Sequence, residues 1–349
     1  MVRLPHSQIQ AWIERALVAA QVLPDHAKII AQALVQTSLW GIDSHGIARL
    51  PHYLNRLTRR SINPRPVFQF ERTGPATGRF NGDHGHGIVI CFEASRHAVN
   101  LAREVGAGVV GIFHSSHCGA IGLYSRDIAK KGLIGIVFTH SDSFVVPHGG
   151  KKAFFGTNPI SIALPRPEPL EPVCLDLATS IVPWNRIMNA RRENTPVPLG
   201  LGVDENGEET TDPHRIVALK PVGEHKGYAL AFVIDALCGP LNGMPFGPHI
   251  PKMYGDLDQY RYLGSLIIAI DPNRFIGLAH FASTVDRMCQ EIKSENPSIL
   301  FPGEPEIRNA QQRSTEGIPV EDALISELDA WATRLALPTF STLCHTPVL

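Results

Sequence analysis

A chain of 349 residues is long enough to bury a large apolar core and needs no covalent staples to fold. Hydrophobic residues make up 44% and charged residues 19%, and 32 Lys+Arg against 33 Asp+Glu leave a formal net charge of -1, so no strong field recruits nucleic acid or an anionic membrane. The cysteines Cys91, Cys118, Cys174, Cys238, Cys289 and Cys344 show no C-x-x-C spacing and read as free thiols of a reducing compartment. The opening MVRLPHSQIQAWIERALVAAQ lacks a continuous apolar stretch, and no later run reaches the roughly eighteen apolar residues of a membrane span. A soluble, cytoplasmic protein is expected.

The first segment reads as helical. Ile9, Trp12, Ile13, Ala16, Leu17 and Ala20 recur at steps of three and four, and Ile29, Ile30, Leu34 and Leu39 do so after Pro24-Asp25. A third helix is expected from about Ile47 to Arg60. The arginine pairs Arg59-Arg60 and Arg191-Arg192 fit solvated helix ends. From about residue 67 the texture changes: VFQFER alternates as a strand, IVICFEASRHAVNLAREVG is helical, GVVGIF is a strand, IGLYSRDIAKKG is a helix ending in Gly, and LIGIVFTH and ISIALP are apolar strands. After VCLDLA come a helix from Trp184 to Arg192, a Pro/Gly/Glu loop, the apolar helix HKGYALAFVIDALCG and the buried strand YLGSLIIAIDP. The tail returns to helix, with Val320, Leu324, Leu328 and Trp331 on one face. This alternation predicts an α/β core.

GAGVVGIFHSSHCGAIG contains a literal G-x-G-x-x-G, but its glycines follow a helix and lead into a strand. A Rossmann fingerprint needs the reverse order, because the pyrophosphate rests on the N-terminus of the helix that follows the glycines. Gly106 is therefore expected to cap a helix, and Gly108 and Gly111 to serve turns or close packing. His114, His117 and Cys118 are candidate metal ligands, yet residues three apart at a strand exit point in different directions and no second Cys/His cluster matches them. What remains is a histidine in the loop beyond a strand's carboxyl end, where α/β proteins place chemistry, or a hydrogen-bonded loop residue.

GIDSHGIARLPHYLNRL places His45, Arg49 and Tyr53 four apart, on one face of a helix. That stripe can grip a 2-oxo or 2-hydroxy carboxylate, with the guanidinium fork on the acid and a histidine on the oxygen to be oxidised or reduced, or it can be a solvated polar face. Lys226, in the first turn of an apolar helix and beside Gly227, is disfavoured by the helix dipole unless an anion faces it; a solvated lysine is the plainer alternative. Asp176 closes an apolar strand, and Thr179-Ser180 can cap the helix that contains Trp184. Asn158-Pro159 fixes a turn.

In order, SHGIARLPHYL, HSSHCGAIG, FGTNPISIALP, DLATS and HKGYALAFVIDALCGPLNG resemble, over nearly the whole chain, the malate/L-lactate dehydrogenase family, which also contains sulfolactate and ureidoglycolate dehydrogenases. The run MPFGPHIPKMYGDLDQYRYLG leans toward the ureidoglycolate branch. The resemblance implies a non-Rossmann NAD(P)-binding fold, with helical N- and C-terminal segments around a central mixed sheet. Residues 1–75 would form a helical substrate and dimerisation segment packing with 310–349, and 76–309 the α/β cofactor-binding and catalytic region. It further implies a homodimer that uses NAD or NADP to move a hydride to or from a small 2-hydroxy or 2-oxo acid.

By the same resemblance His117 is the acid/base, with His45 the other histidine given that role, and Asp142 orients the imidazole. Arg49 anchors the substrate carboxylate, with Tyr53 and Ser44 beside it. Ser141, Asp176, Leu177, Ala178, Lys226, Gly227, Gly303, Glu304 and Pro305 touch the cofactor. Ser116 stands where many members have Asn, and Ala229 where they have Gly. Reduction of a cyclic imine 2-carboxylate and a non-catalytic nucleotide- or carboxylate-binding regulator are the alternatives.

Overall fold

A computed structural model describes residues 1–345; residues 346–349, the end of the expected 310–349 segment, lie outside it. A short strand β1 (Val2–Leu4) precedes α1 (His6–Ala19) and α2 (Pro24–Leu39), and α2 starts on its proline, whose missing N–H costs nothing there. Ile9, Trp12, Ile13, Ala16 and Leu17 of α1 are all buried, as their spacing requires.

The expected single helix from Ile47 to Arg60 is broken. Two 3-10 turns, Asp43–His45 and Ile47–Arg49, lead into α3 (Leu50–Thr58). Gly46 between them is non-helical and so close to α2 that a Cβ would lie 2.1 Å from Ser38 Oγ, which accepts the Ile47 N–H. Pro51 fits only the first turn of a new helix. His45, Arg49 and Tyr53 therefore do not form one helical stripe.

The middle of the chain supplies β2 (Gln69–Arg72), β3 (Thr77–Asn81), α4 (Gly87–Val105), β4 (Ala107–Ser115), α5 (Gly122–Lys130), β5 (Ile134–Thr139), β6 (Ile160–Leu164) and β7 (Val173–Leu177). Next come α6 (Trp184–Glu193), the short pair β8 (Gly202–Val203) and β9 (Ala218–Leu219), α7 (His225–Cys238) and β10 (Leu263–Ile270). The tail contains α8 (Leu278–Glu295), α9 (Glu304–Glu316), β11 (Ile318–Val320) and α10 (Asp322–Arg334). Helix α6 has Pro183 at its N-cap and so no side-chain cap. Thr179, expected to cap it, instead donates to the Thr157 carbonyl at 3.0 Å, and Ser180 donates to the Val182 carbonyl at 2.8 Å.

Seven strands form one mixed sheet in the order β2-β3-β4-β10-β5-β6-β7, in which only β3 and β4 run parallel. The late strand β10 inserts at its centre, pairing Ile267 with Val110 on one side and Val137 on the other. One core joins α1 to α4, the sheet, and Trp331 and Phe340 of the tail. The chain ends meet where β1 pairs with β11 and where Trp12 donates its indole N–H to the Pro338 carbonyl at 2.9 Å. A smaller apolar cluster around Val145, Ile187, Val197 and Leu219 lies under α6. Among the described residues no helix is long and apolar enough to cross a membrane.

The glycines of GAGVVG are packing devices. Gly106 caps α4 at φ 98°, a Cβ on Gly108 would lie 2.0 Å from the Ala98 carbonyl oxygen, and one on Gly111 would lie 2.1 Å from Asn242 Oδ1. Gly108→Ala drives a methyl group into backbone and is expected to destabilise by about 3 kcal/mol, against about 1 kcal/mol for Gly106→Ala, which faces only a flexible arginine stem. Urea unfolding of the two variants checks this order.

Candidate active site

The exit of β4, the end of β7 and the 3-10 turns after α2 open onto a cleft of about 640 Å³. Ser44, His45, Arg49, His117, Ser141, Asp176, Leu177 and Ala178 all line it. A groove of similar volume between α1, α2, α4 and α5 contains none of the side chains nominated above.

His117 stands two residues beyond β4. Its Nδ1 is engaged by the Tyr53 hydroxyl at 2.7 Å and by the Gly119 N–H at 3.3 Å, which leaves Nε2 as the free ring nitrogen. Tyr53 is fully buried, and burial raises its pKa, so the phenol stays protonated. Its place is beneath the imidazole, not on the cleft wall. Ser116 Oγ lies in the backbone around Gly85 and Gly87 and does not reach the ring. His114 is carried away from His117, its ring tilted against that of His84 with centroids 4.6 Å apart and its Nδ1 on Asn81. Among the described residues no group of three or more His, Cys, Asp or Glu is arranged to hold a metal.

Burial lowers the His117 pKa well below 6.5, and the charges of Arg49 and neighbouring groups lower it further. His45, with its ring 5.6 Å from that of His117 and its Nδ1 on Ser44 Oγ at 2.9 Å, is pushed to about 3 by burial and then by Arg49. Both imidazoles are neutral at pH 7 beside a permanent guanidinium. Arg49 donates Nε to the Ser44 carbonyl and Nη1 to the Tyr254 hydroxyl, each at 2.6 Å.

Asp142, expected to orient His117, does not touch it. Its buried carboxylate pairs with Arg261 and accepts the Met253 N–H at 3.0 Å. The orienting group is Tyr53.

The far end of the cleft is acidic. Asp176 accepts the Gly122 N–H at 2.8 Å, and a Cβ on Gly122 would crowd that carboxylate at 2.7 Å. Asp176 is open to the cleft but ringed by protein; desolvation, with the nearby Glu306 carboxylate adding to it, lifts its pKa from 3.8 to about 6. Of the expected Gly303-Glu304-Pro305 turn, none lines the cleft: Gly303 caps α9, and the Glu304 carboxylate is taken up by Lys293 and Arg308. Glu306, one residue past that turn, is the group that reaches the wall. Lys226 and Gly227 also lie off it. Gly227 packs under Val222, whose carbonyl oxygen a Cβ would meet at 2.1 Å, and Val222 is the lining residue. Tyr254, Met253, Trp184 and Leu230 complete the wall without having been singled out in the sequence.

Carboxylates at one end, a guanidinium with neutral imidazoles at the other and apolar residues between suit the cleft to an enzyme that holds a polyhydroxylated group and a small acid side by side. Residues 4–329 match the family described as malate/L-lactate dehydrogenase, and the chain belongs to that family. It is 35% identical to the ureidoglycolate dehydrogenase (NAD(+)) of Escherichia coli O157:H7, over 94% of this chain and 95% of that one. It also superposes on the sulfolactate dehydrogenase of Methanocaldococcus jannaschii with a TM-score of 0.90 at 34% identity, covering 97% and 98% of the two chains. The Δ1-piperideine-2-carboxylate reductase of Pseudomonas syringae pvar. tomato gives 0.87 at 28% identity, covering 95% and 100%.

The folded protein binds the Asp176 proton more tightly than the unfolded chain does, so ionisation of this group destabilises the fold as pH rises through 3.8 to about 6. Asp176→Asn removes that penalty. Discounted for the carboxylate's open face, the variant is expected to be more stable than wild type by about 1 kcal/mol at pH 8, with the gap closing by pH 4, in unfolding experiments without cofactor.

Proposed function

We propose that this enzyme transfers a hydride between NAD or NADP and a small 2-hydroxy or 2-oxo carboxylic acid of the malate, lactate, sulfolactate or ureidoglycolate type. The observation that carries the reading is the pairing of Arg49 with the free Nε2 of His117 on one cleft wall, with Tyr53 holding the other ring nitrogen. Arg49 binds the substrate carboxylate. His117 takes the hydroxyl proton at Nε2 in oxidation and returns it in reduction. Burial, and then the Arg49 charge, hold its pKa down and keep it a free base in the resting enzyme, and a carboxylate on Arg49 offsets the second of these causes, which favours the protonated ring once the acid is bound. For Nε2 to take that proton Nδ1 must carry the hydrogen of the ring, and the Tyr53 hydroxyl oxygen accepts it in the neutral and the charged state alike. His45 stays neutral, its ring stacked on that of His117 and its Nδ1 held by the Ser44 hydroxyl.

The nicotinamide cofactor supplies the hydride chemistry at its C4 carbon. The residues present fit such a group. Asp176 and Glu306 are carboxylates suited to accept hydrogen bonds from ribose hydroxyls, as acidic residues do in other dinucleotide sites, and Ser141, Leu177, Ala178 and Trp184 line the path toward His117. Residues 1–75 provide Ser44, His45 and Arg49, and 76–309 provide His117 and most of the cofactor wall.

A second reading, reduction of a cyclic imine 2-carboxylate, shares the Arg49 anchor and finds support in the reductase of the same fold. A nicotinamide-absorbance assay with oxaloacetate, pyruvate, sulfopyruvate, glyoxylate and a cyclic imine carboxylate separates the two. His117→Ala is expected to lower kcat by about a hundredfold or more while NADH binding, read by fluorescence, is retained. Near-wild-type turnover by this variant would overturn the assignment.

We also propose that the chain works as a cytoplasmic homodimer. Helix α7 is apolar all round, yet Leu230, Phe232 and Val233 are 44%, 55% and 53% exposed, a face that a second copy would cover. Light scattering is expected to show a dimer for wild type and a monomer for Phe232→Glu combined with Val233→Glu. A monomeric wild type would remove the proposal.

A further inference from the structure

Arg49 does not meet the cleft alone. Its Nε is committed to the Ser44 carbonyl, and its Nη1 donates to the Tyr254 hydroxyl at 2.6 Å. Because the phenol oxygen accepts from the guanidinium, its own hydrogen is left to donate to whatever anion settles on that edge. The ring lies edge-on to His52, with centroids 5.6 Å apart. Tyr254 thus stands at the mouth of the cleft, half exposed, with its polar tip on the one cationic side chain of the wall.

Nothing in the segment's secondary structure explains such placement, since residues 251–262 form neither helix nor strand. Buried charges hold it instead. Arg56, 2% exposed, donates to the carbonyls of Met253 at 2.8 Å and of Lys252 and Gln259, both at 3.2 Å. Asp142 accepts the Met253 N–H and pairs with Arg261 at the other end of the same loop. The residue preceding Tyr254 is therefore fixed through both its N–H and its C=O, and a loop held this way keeps the phenol in one place when substrate arrives.

We infer that Tyr254 is a substrate-binding residue which, with Arg49, forms a two-donor cradle for the carboxylate of the acid. The inference rests on the reading of Arg49 as the carboxylate anchor. The guanidinium supplies charge and the phenol a second, directional hydrogen bond, so the acid is held in one orientation in front of His117. Asp142, Arg56 and Arg261 act through Tyr254 as positioning residues.

The test compares wild type, Tyr254→Phe and Arg49→Lys with whichever acid of the panel above is reduced fastest, alongside NADH titration by fluorescence. Tyr254→Phe keeps the ring and its contact with His52 and removes only the hydroxyl. It is expected to raise KM for the acid about tenfold, with kcat within about twofold and NADH affinity unchanged, the size expected for one hydrogen bond to a charged group. If KM stays at the wild-type value in Tyr254→Phe but rises in Arg49→Lys, the Tyr254 inference is wrong and the anchor stands. A fall in kcat without a change in KM also overturns it, by placing the phenol in the chemistry and not on the carboxylate. If neither variant raises KM, or no acid is reduced at all, the anchor reading fails and this inference with it.

Discussion

The Asp142 carboxylate, buried just beyond β5, accepts from Arg261 and from the Met253 backbone, and so joins the sheet to the irregular loop that closes the Arg49 end of the cleft. A buried ion pair adds little net stability, because desolvation offsets most of its Coulomb energy. Its value lies in geometry. An unpaired carboxylate at that depth is so costly that Arg261 is held against it, and the loop that Arg261 terminates is held in turn. Arg56 completes the restraint from α3, on the side of the molecule that also presents Arg49 and Tyr53. The catalytic wall and the loop facing it are therefore fastened to each other through charges the solvent does not reach.

The cleft built on this restraint is polarised along its length. One end has the permanent charge of Arg49 beside imidazoles that burial keeps neutral; the other has the acceptors Asp176, whose charged form the surrounding protein disfavours, and Glu306, which faces the buried Arg126 at 3.8 Å. A carboxylic acid suits the first end and a polyhydroxylated sugar the second, with apolar residues lining the stretch between them. The opposed ends account for why a protein with a net charge of -1 can bind an anionic substrate: the relevant field is local.

Much of this was legible in the chain. Helical and strand periodicities located α1, α2, α4, β4, β5, β6 and β10, and the order helix–glycine–strand was enough to reject GAGVVG as a phosphate loop, which Gly108 against the Ala98 carbonyl explains in physical terms. The motif residues Ser44, His45, Arg49, His117 and Asp176 do share one cleft. Where the reading went astray, a long-range contact had replaced a local one. Spacing put His45, Arg49 and Tyr53 on one helix, but Gly46 against Ser38 breaks it and sends Tyr53 beneath the imidazole. The resemblance placed Asp142 on His117, whereas Arg261, far along the chain, claims it. Glu304 was chosen over Glu306 because nothing in PGEPE tells which carboxylate Lys293 and Arg308 will occupy. Tyr254 lies in the run that leans toward the ureidoglycolate branch, but a tyrosine in a loop rich in Pro, Gly and Asp gives no hint that its hydroxyl will meet Arg49.

The sequence by itself determined the α/β class, the family and the residue types of the site, because periodicity, glycine placement and short motifs are properties of neighbours along the chain. The tertiary structure alone decided which groups face each other: Tyr53 on His117, Asp142 on Arg261, Glu306 beside Asp176 and Tyr254 on Arg49. Those pairings depend on burial and on contacts between distant segments, and desolvation, which sets both the partners and the pKa values, exists only once the chain has folded around them.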